Sequence, residues 1–337
     1  MTEICLSMIV KNEAHVLARC LRSVLPIITS YKIVDTGSTD STDQVLKAWL
    51  AHLPGEIQHH PWKDDFAFHR NQALPAPGFD GYVLIMDADD ELLIGPNFNP
   101  ANLKEDCYSV VDIQGGMMNF RPHLFRVKEG IKWVGVRHED VWGFPEAHAL
   151  DPGELRIAVR HEGDRSKNPN RFLHDAEVLL KARKKLKKGD PYNLYSIYTS
   201  HIGQSFCDAK DYPNAIKYFR EYVTLTGKTH HDFTYGAYLK IAASQEELHA
   251  APDEVVKAYL DAQAADPSRI ESYVLLTFFL CRQGRFLDAK KIMDQAMALE
   301  FKFQAINQMT KWWKERDAIY EQVVQAALLQ QEKGVKE

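Results

Sequence analysis

Tyr82-Val83-Leu84-Ile85-Met86-Asp87-Ala88-Asp89-Asp90-Glu91 is the stretch that decides how the first half of the chain is read. An apolar run of strand length ends abruptly in acids, as a strand of a helix-covered parallel sheet does where it reaches the sheet edge. Alternate residues of an extended backbone share a side, so Asp87 and Asp89 are expected to emerge together. Two carboxylates presented in this way suit a hard divalent cation, which prefers oxygen ligands and can keep positions open for phosphate. From these residues alone, an acidic loop capping a following helix stays open as the plainer reading.

Working outward, ICLSMIV (4–10), YKIVD (31–35) and EIQHH (56–60) read as the strands that precede YVLIMD (82–87). Between the first two, Glu13 to Leu25 carries Val16, Leu17, Cys20, Leu21 and Val24 at helical spacing. A second helix is expected near Asp40, after the capping candidates Ser38, Thr39 and Asp40. Alternating strands and helices predict an α/β domain with a parallel sheet, and such sheets bind ligands beyond the carboxyl ends of their strands. Three earlier strands deliver polar groups to that edge: Lys11-Asn12-Glu13, then Asp35 to Ser38, then Asp64-Asp65 with Arg70-Asn71. From Cys107 to Val159 shorter strands, broken at Gly115-Gly116 and Pro122, predict a mixed-sheet extension.

After about Asn168 strand signals stop and helix-length segments follow. Gly203, Tyr212, Ala215 and Phe219 have the relative spacing of a tetratricopeptide unit, and Gly284, Phe286, Ala289 and Ala296 repeat most of it. Ala243, Tyr259, Ala262 and Pro267 make a looser third copy, so about three stacked helical hairpins are expected. The expected division is residues 1–167, residues 168–330 and a frayed tail at 331–337. The basic run Lys181, Arg183, Lys184, Lys185, Lys187 and Lys188 reads as a solvated face near a helix end. Trp312-Trp313 reads as a seal on the last helices.

The net charge of -5 provides no global attraction for nucleic acid. Cys5, Cys20, Cys107, Cys207 and Cys281 lack the close spacing of zinc or redox motifs and read as free thiols. MTEICLSMIVKNE fits neither a secretory signal nor a transit peptide, and no apolar run reaches the length of a membrane span. The expectation is a cytoplasmic protein, with monomer and homodimer both open.

SMIVKNE, IVDTGSTDST, WKDDFAFHRNQAL and LIMDADDE stand in the order and approximate spacing of family 2 glycosyltransferases with the GT-A fold. The chain resembles most the bacterial branch of that family in which tetratricopeptide repeats follow the catalytic domain. RPHLFR, GVRHEDV and RIAVRHEGD continue the likeness. It implies a Rossmann-like GT-A domain of mixed sheet followed by an all-α repeat domain, and a UDP-sugar donor of glucose or N-acetylglucosamine type. By position, Asp35 resembles the acid that recognises the base, Val10, Lys11, Asn12 and Glu13 the edge of the nucleoside pocket, and Arg70 the arginine near the diphosphate. Asp87 and Asp89, spaced by Ala88, match the Asp-Xaa-Asp pair that holds manganese or magnesium, with His161 a third ligand or phosphate contact. His69 before Arg70-Asn71, and Asp90 after the acid pair, depart from the branch's usual pattern.

Inverting transfer needs a base for the acceptor, and Glu139 and Asp140 are the candidates, Glu139 first. A salt bridge of these acids with Arg137 or Arg160 is the plainer alternative. The repeats make a polypeptide acceptor natural; a glycan or lipid acceptor stays open, and nucleic acid ranks last for want of a recognition motif. Two further readings are a catalytically silent nucleotide sensor with a protein-binding scaffold, and a sugar nucleotidyltransferase.

Overall fold

A computed structural model describes residues 2–76, 78–114, 117–144, 146–227, 231–300 and 310–334. The chain divides into two compact units, Met1–His174 and Asp175–Glu337.

In the first unit β1 (Ile4–Val10), β2 (Ser30–Asp35), β3 (Gly55–His59) and β4 (Tyr82–Ile85) run parallel in the order β3-β2-β1-β4. Helices α1 (Ala14–Val24), α2 (Thr42–Leu50) and α3 (Phe66–Gln72) connect them. Strand periodicity sorts their residues between two cores. Ile4, Leu6, Met8 and Val10 of β1 join Tyr82 and Leu84 of β4 against Leu17, Leu21 and Val24 of α1 and Leu46 of α2. Val83 and Ile85 turn the other way, to Ala67 of α3 and to Phe125 and Trp133. The five α1 residues expected to face the core are all buried. α2 begins at Thr42, two residues later than expected, because Asp40 Oδ1 takes the Thr42 amide (3.0 Å) and hydroxyl from outside the helix.

The sheet continues through β5 (Glu91–Ile94), β6 (Cys107–Gln114), β7 (Met117–Arg126), β10 (His148–Ala149) and β11 (Leu155–Ala158), while β8 (Lys132–Val134) and β9 (Asp140–Trp142) form a separate hairpin. β7 lies antiparallel to β4, which makes the sheet mixed. The acids after β4 lead into strand β5 rather than a helix. Gly115-Gly116 lie outside the described residues.

The second unit holds no strand among the described residues, and the division between the units falls inside α4 (Arg171–Arg183). Helices α5 (Leu194–Asp208) and α6 (Tyr212–Thr226), α7 (His231–Glu247) and α8 (Pro252–Ala265), and α9 (Ile270–Arg282) and α10 (Phe286–Met297) pack as three successive hairpins, followed by α11 (Thr310–Gly334). The small and aromatic repeat positions Ala215, Phe219, Tyr259, Ala262, Ala289 and Ala296 are buried, but Ala243 is exposed and its neighbour Ala242 fills the core. The first position of that third copy is therefore one residue out of register, while Tyr259 and Ala262 are in place. Arg183 leaves the basic run to bond Thr199 (2.9 Å) and Glu221 (3.1 Å), so its charge serves the helix packing. Trp312 packs edge-on to Phe278 at 5.6 Å; the Trp313 side chain lies outside the described residues. α11 continues to Gly334, into the segment expected to fray. All five cysteines are free thiols, and no helix of the described residues is long and apolar enough to cross a membrane.

A Cβ on Gly203 would meet the ring of buried Phe219 at 3.0–3.1 Å, so α5 and α6 touch where this glycine lets them. Gly203→Val is expected to destabilise the helical unit by about 1–3 kcal/mol through overpacking, measured by urea unfolding followed by helical circular dichroism.

Candidate functional site

Parallel β1, β2 and β4 open their carboxyl ends on one edge of the sheet. β4 stops at Ile85, and Asp87 to Asp90 form a tight turn closed by the Asp90 amide on the Asp87 carbonyl (3.2 Å). The acid pair therefore comes from a turn, not from the extended strand that alternation implied. Met86 and buried Ala88 drop into the first core and hold the turn from beneath.

Asp87 meets Arg70, which rises from α3. Asp65 caps that helix, its Oδ1 accepting the Phe68 amide at 2.9 Å. The Arg70 side chain, 9% exposed, donates from Nη2 to Asp87 Oδ1 (2.8 Å) and from Nε to Glu139 Oε1 (2.6 Å). Glu139 reaches this point because the β8–β9 hairpin is tied to α3. Asn71 gives its amide to the Trp133 carbonyl (3.0 Å) and takes the Trp133 N–H (2.8 Å), and the Phe66 N–H donates to Val136 O (3.1 Å). The Trp133 ring lies 5.0 Å from the Arg70 guanidinium. Burial acts to raise the Asp87 pKa, but the Arg70 charge overrides it and holds the carboxyl down at about 2.

The Glu139 side chain, 9% exposed, is thus joined to Asp87 through one cation, whereas Asp140 is exposed and spends Oδ1 on the Val141 amide (2.8 Å). Burial, with Asp140 and Asp106 adding to it, pushes the Cys107 thiol up to about 12. The arginines considered as salt-bridge partners from sequence are engaged elsewhere, Arg137 with Asp64 (3.2 Å) and Arg160 with Glu91 (2.8 Å).

The segment 160–164 wraps the acid turn with main-chain donors. Gly163 N–H reaches Asp89 Oδ2 (2.8 Å), Arg160 N–H reaches Asp90 Oδ1 (3.2 Å), and Asp164 N–H reaches Glu13 Oε1 (3.1 Å). Arg19 adds a bond to the Asp89 carbonyl (2.6 Å). Even so, burial and the neighbouring carboxylates leave Glu13 at about 7 and Asp90 at about 8. Glu13 Oε2 is a buried acceptor with no hydrogen-bond partner. A cluster so crowded with acid, with an orphaned carboxylate oxygen in it, fits a divalent cation. Asp87 and Asp89 are the residues that would hold Mn2+ or Mg2+ through hard oxygens. His161, exposed in the left-handed conformation at φ +54, does not complete a three-ligand cluster with them. Among the described residues no group of three His, Cys, Asp or Glu could hold a metal ion.

Beyond β1, β2 and β3 lies a cleft of about 540 Å³ lined by Lys11, Asp35, Thr36, Gly37, His59 and Trp62 among others. Asp35 is buried; its Oδ1 accepts the amides of Gly37 (2.9 Å) and Ser38 (2.7 Å), and its Oδ2 lies 3.7 Å from His59. Val10 is buried and gives its carbonyl to the Thr36 amide (2.9 Å). Asn12, at φ +57, bonds Ser38 and Thr39, welding the first strand end to the second. His59 and Trp62 escaped the sequence reading; the only signal was an aromatic cluster, HHPW, at the end of a strand. His69 explains its own departure: fully buried, it accepts the Lys63 amide on Nε2 (3.2 Å) and stacks on Trp62 at 5.0 Å. Burial lowers its pKa, consistent with a neutral ring supporting the cleft wall.

Residues 5–95 match the family described as Glycosyl transferase family 2. A TPR repeat-containing protein of Synechococcus elongatus is 38% identical over 94 residues, 28% of this chain and 22% of that protein. The glycosyltransferase SunS derived from the SPbeta prophage of Bacillus subtilis is 30% identical over 166 residues, 46% of this chain and 38% of that protein. The matches thus span well under half the length of these curated relatives. Among solved structures, MamA covers 53% of this chain and 100% of its own at 20% identity and TM-score 0.31. BtubC from P. vanneervenii covers 49% of this chain and 67% of its own at 16% identity and TM-score 0.38. The family 2 segment contains Asn12, Glu13, Asp35, Arg70, Asp87 and Asp89, while Glu139 lies beyond it.

Removing Arg70 leaves the largely covered Glu139 side chain without its partner. Arg70→Met is expected to destabilise the first unit by roughly 2–4 kcal/mol, less than the ~3–5 of a fully buried pair because Asp87 is half open. Denaturant unfolding measures it.

Proposed function

We propose that the chain is a metal-dependent, inverting glycosyltransferase that moves a sugar of glucose or N-acetylglucosamine type from a UDP-sugar to an acceptor, preferentially a polypeptide. The observation that carries this reading is the Arg70 fork, which draws the donor-side acid Asp87 and the acceptor-side acid Glu139 together at the edge of the family 2 segment. The cleft over Asp35 has room for a nucleoside, with Trp62 and His59 as walls and the Asp35 carboxylate to accept a base N–H. Asp87 and Asp89 would hold the cation, which would supply positive charge to the leaving diphosphate.

Arg70 adds a fixed cation beside that site, so charge growing on the diphosphate meets a positive group already in place. Glu139, kept in orientation by the same arginine, takes the acceptor's proton as the acceptor nucleophile attacks the anomeric carbon and the bond to phosphate breaks. One displacement of this kind inverts the anomeric centre. The stacked hairpins favour a polypeptide acceptor, since such stacks offer extended surfaces to a chain.

Calorimetric titration with UDP and UDP-sugars, with and without Mn2+, tests the donor site. Asp89→Ala is expected to weaken Mn2+-dependent UDP binding more than about 100-fold, beyond the loss caused by an outer-sphere partner. Unchanged binding would remove the cation from this turn. Glu139→Gln is expected to keep UDP affinity and slow transfer by about 10²–10⁴-fold. Released nucleoside diphosphate marks transfer; pyrophosphate would mark a nucleotidyltransferase, and no nucleotide binding a repeat-domain scaffold.

A further inference from the structure

His123 is a buried, polar residue that the donor-site chemistry does not use. It sits where two ladders fail together. The register of β6 against β7 jumps from Tyr108↔Leu124 to Ser109↔Pro122, so His123 is the bulged residue without a partner in β6. On the other side, the pairing of β4 with β7 ends at Leu84↔Leu124. Continued by one residue it would set Ile85 against His123, the bulged residue. The imidazole fills the gap: His123 Nδ1 lies 3.0 Å from the Ile85 carbonyl, and because a carbonyl only accepts, Nδ1 is the donor. From the far side the buried Asp112 carboxylate stands 2.9 Å from Nε2, outside hydrogen-bond geometry, and Arg121 stands 3.5 Å from the other Asp112 oxygen.

Ile85 is the last residue of β4, and the acid turn starts two residues later. We infer that His123, backed by the Asp112 carboxylate, is a positioning residue: its side chain replaces the missing ladder bond at the end of β4 and fixes the height at which Asp87 and Asp89 leave the sheet. The inference rests on the donor-site reading above. The bulge beside the site supplies what a regular strand would not, a side-chain rather than a main-chain donor at the end of β4.

The test is Mn2+ binding in the presence of UDP, read from the electron paramagnetic resonance signal of the unbound ion on the full chain. His123→Asn keeps a side-chain N–H at the same branch, whereas His123→Phe keeps bulk and loses the donor. The Phe variant is expected to bind Mn2+ about 10–100-fold more weakly and the Asn variant to stay within about threefold of the parent. A role in packing alone would give the reverse order. Asp112→Asn, which loosens the ring without removing it, is expected to fall between them and serves if the Phe variant does not fold. Parent-like binding in both His123→Phe and Asp112→Asn, or Asn no better than Phe, would overturn the positioning role while leaving the donor site in place. No Mn2+ binding by the parent would overturn the donor site and this role with it.

Discussion

The site is organised around one buried cation. Arg70 is nearly closed to solvent, and a guanidinium in that position is tolerable only with its charge matched and its donors used. Asp87 and Glu139 satisfy it from two directions. The two acids lie far apart in the chain, one after β4 and the other in the turn that joins β8 to β9. Their meeting is a consequence of Arg70's need for partners. The helix that carries Arg70 is in turn fixed to that hairpin by the Asn71 side chain, so the geometry of the fork is set by bonds outside it.

A second constraint is the surplus of negative charge around the acid turn. Main-chain amides of Arg160, Gly163 and Asp164 each meet a different carboxylate, which stabilises charge without adding side chains that would fill the site. They do not neutralise it, as the elevated Glu13 and Asp90 show. A surface poised in this way has more to gain from a divalent cation than from another lysine, because the cation leaves coordination positions for phosphate oxygens. The helical unit meets a simpler demand: glycine and alanine at the hairpin contacts let the helices close on aromatic side chains.

Much of this was readable before any coordinates. Apolar runs of strand length followed by polar residues placed the four parallel strands and their functional ends, and helical spacing named every buried residue of α1. The motif likeness to family 2 glycosyltransferases agrees with the matched segment. The errors share a cause. Alternation kept Asp87 and Asp89 on an extended strand, yet the chain turns as soon as β4 runs out of partners. Spacing placed Ala243 in the repeat, but a degenerate repeat allows a one-residue slip, and burial selected Ala242. His161, read from its place in the sequence as a third ligand or phosphate contact, lies in a segment whose backbone amides reach Asp89 and Glu13.

By itself, then, the sequence determined the periodicities, and with them the α/β unit, the helical unit and the strand ends where polar groups gather, because these depend on local spacing and on which faces are apolar. The tertiary structure alone decided which charges pair. Arg70 could have met any of several acids, Glu139 could have paired with Arg137 or Arg160, and His123 could have been an ordinary strand residue. Those choices depend on distances between elements remote in the chain and on the high cost of leaving a buried polar group unmatched, neither of which a linear pattern contains.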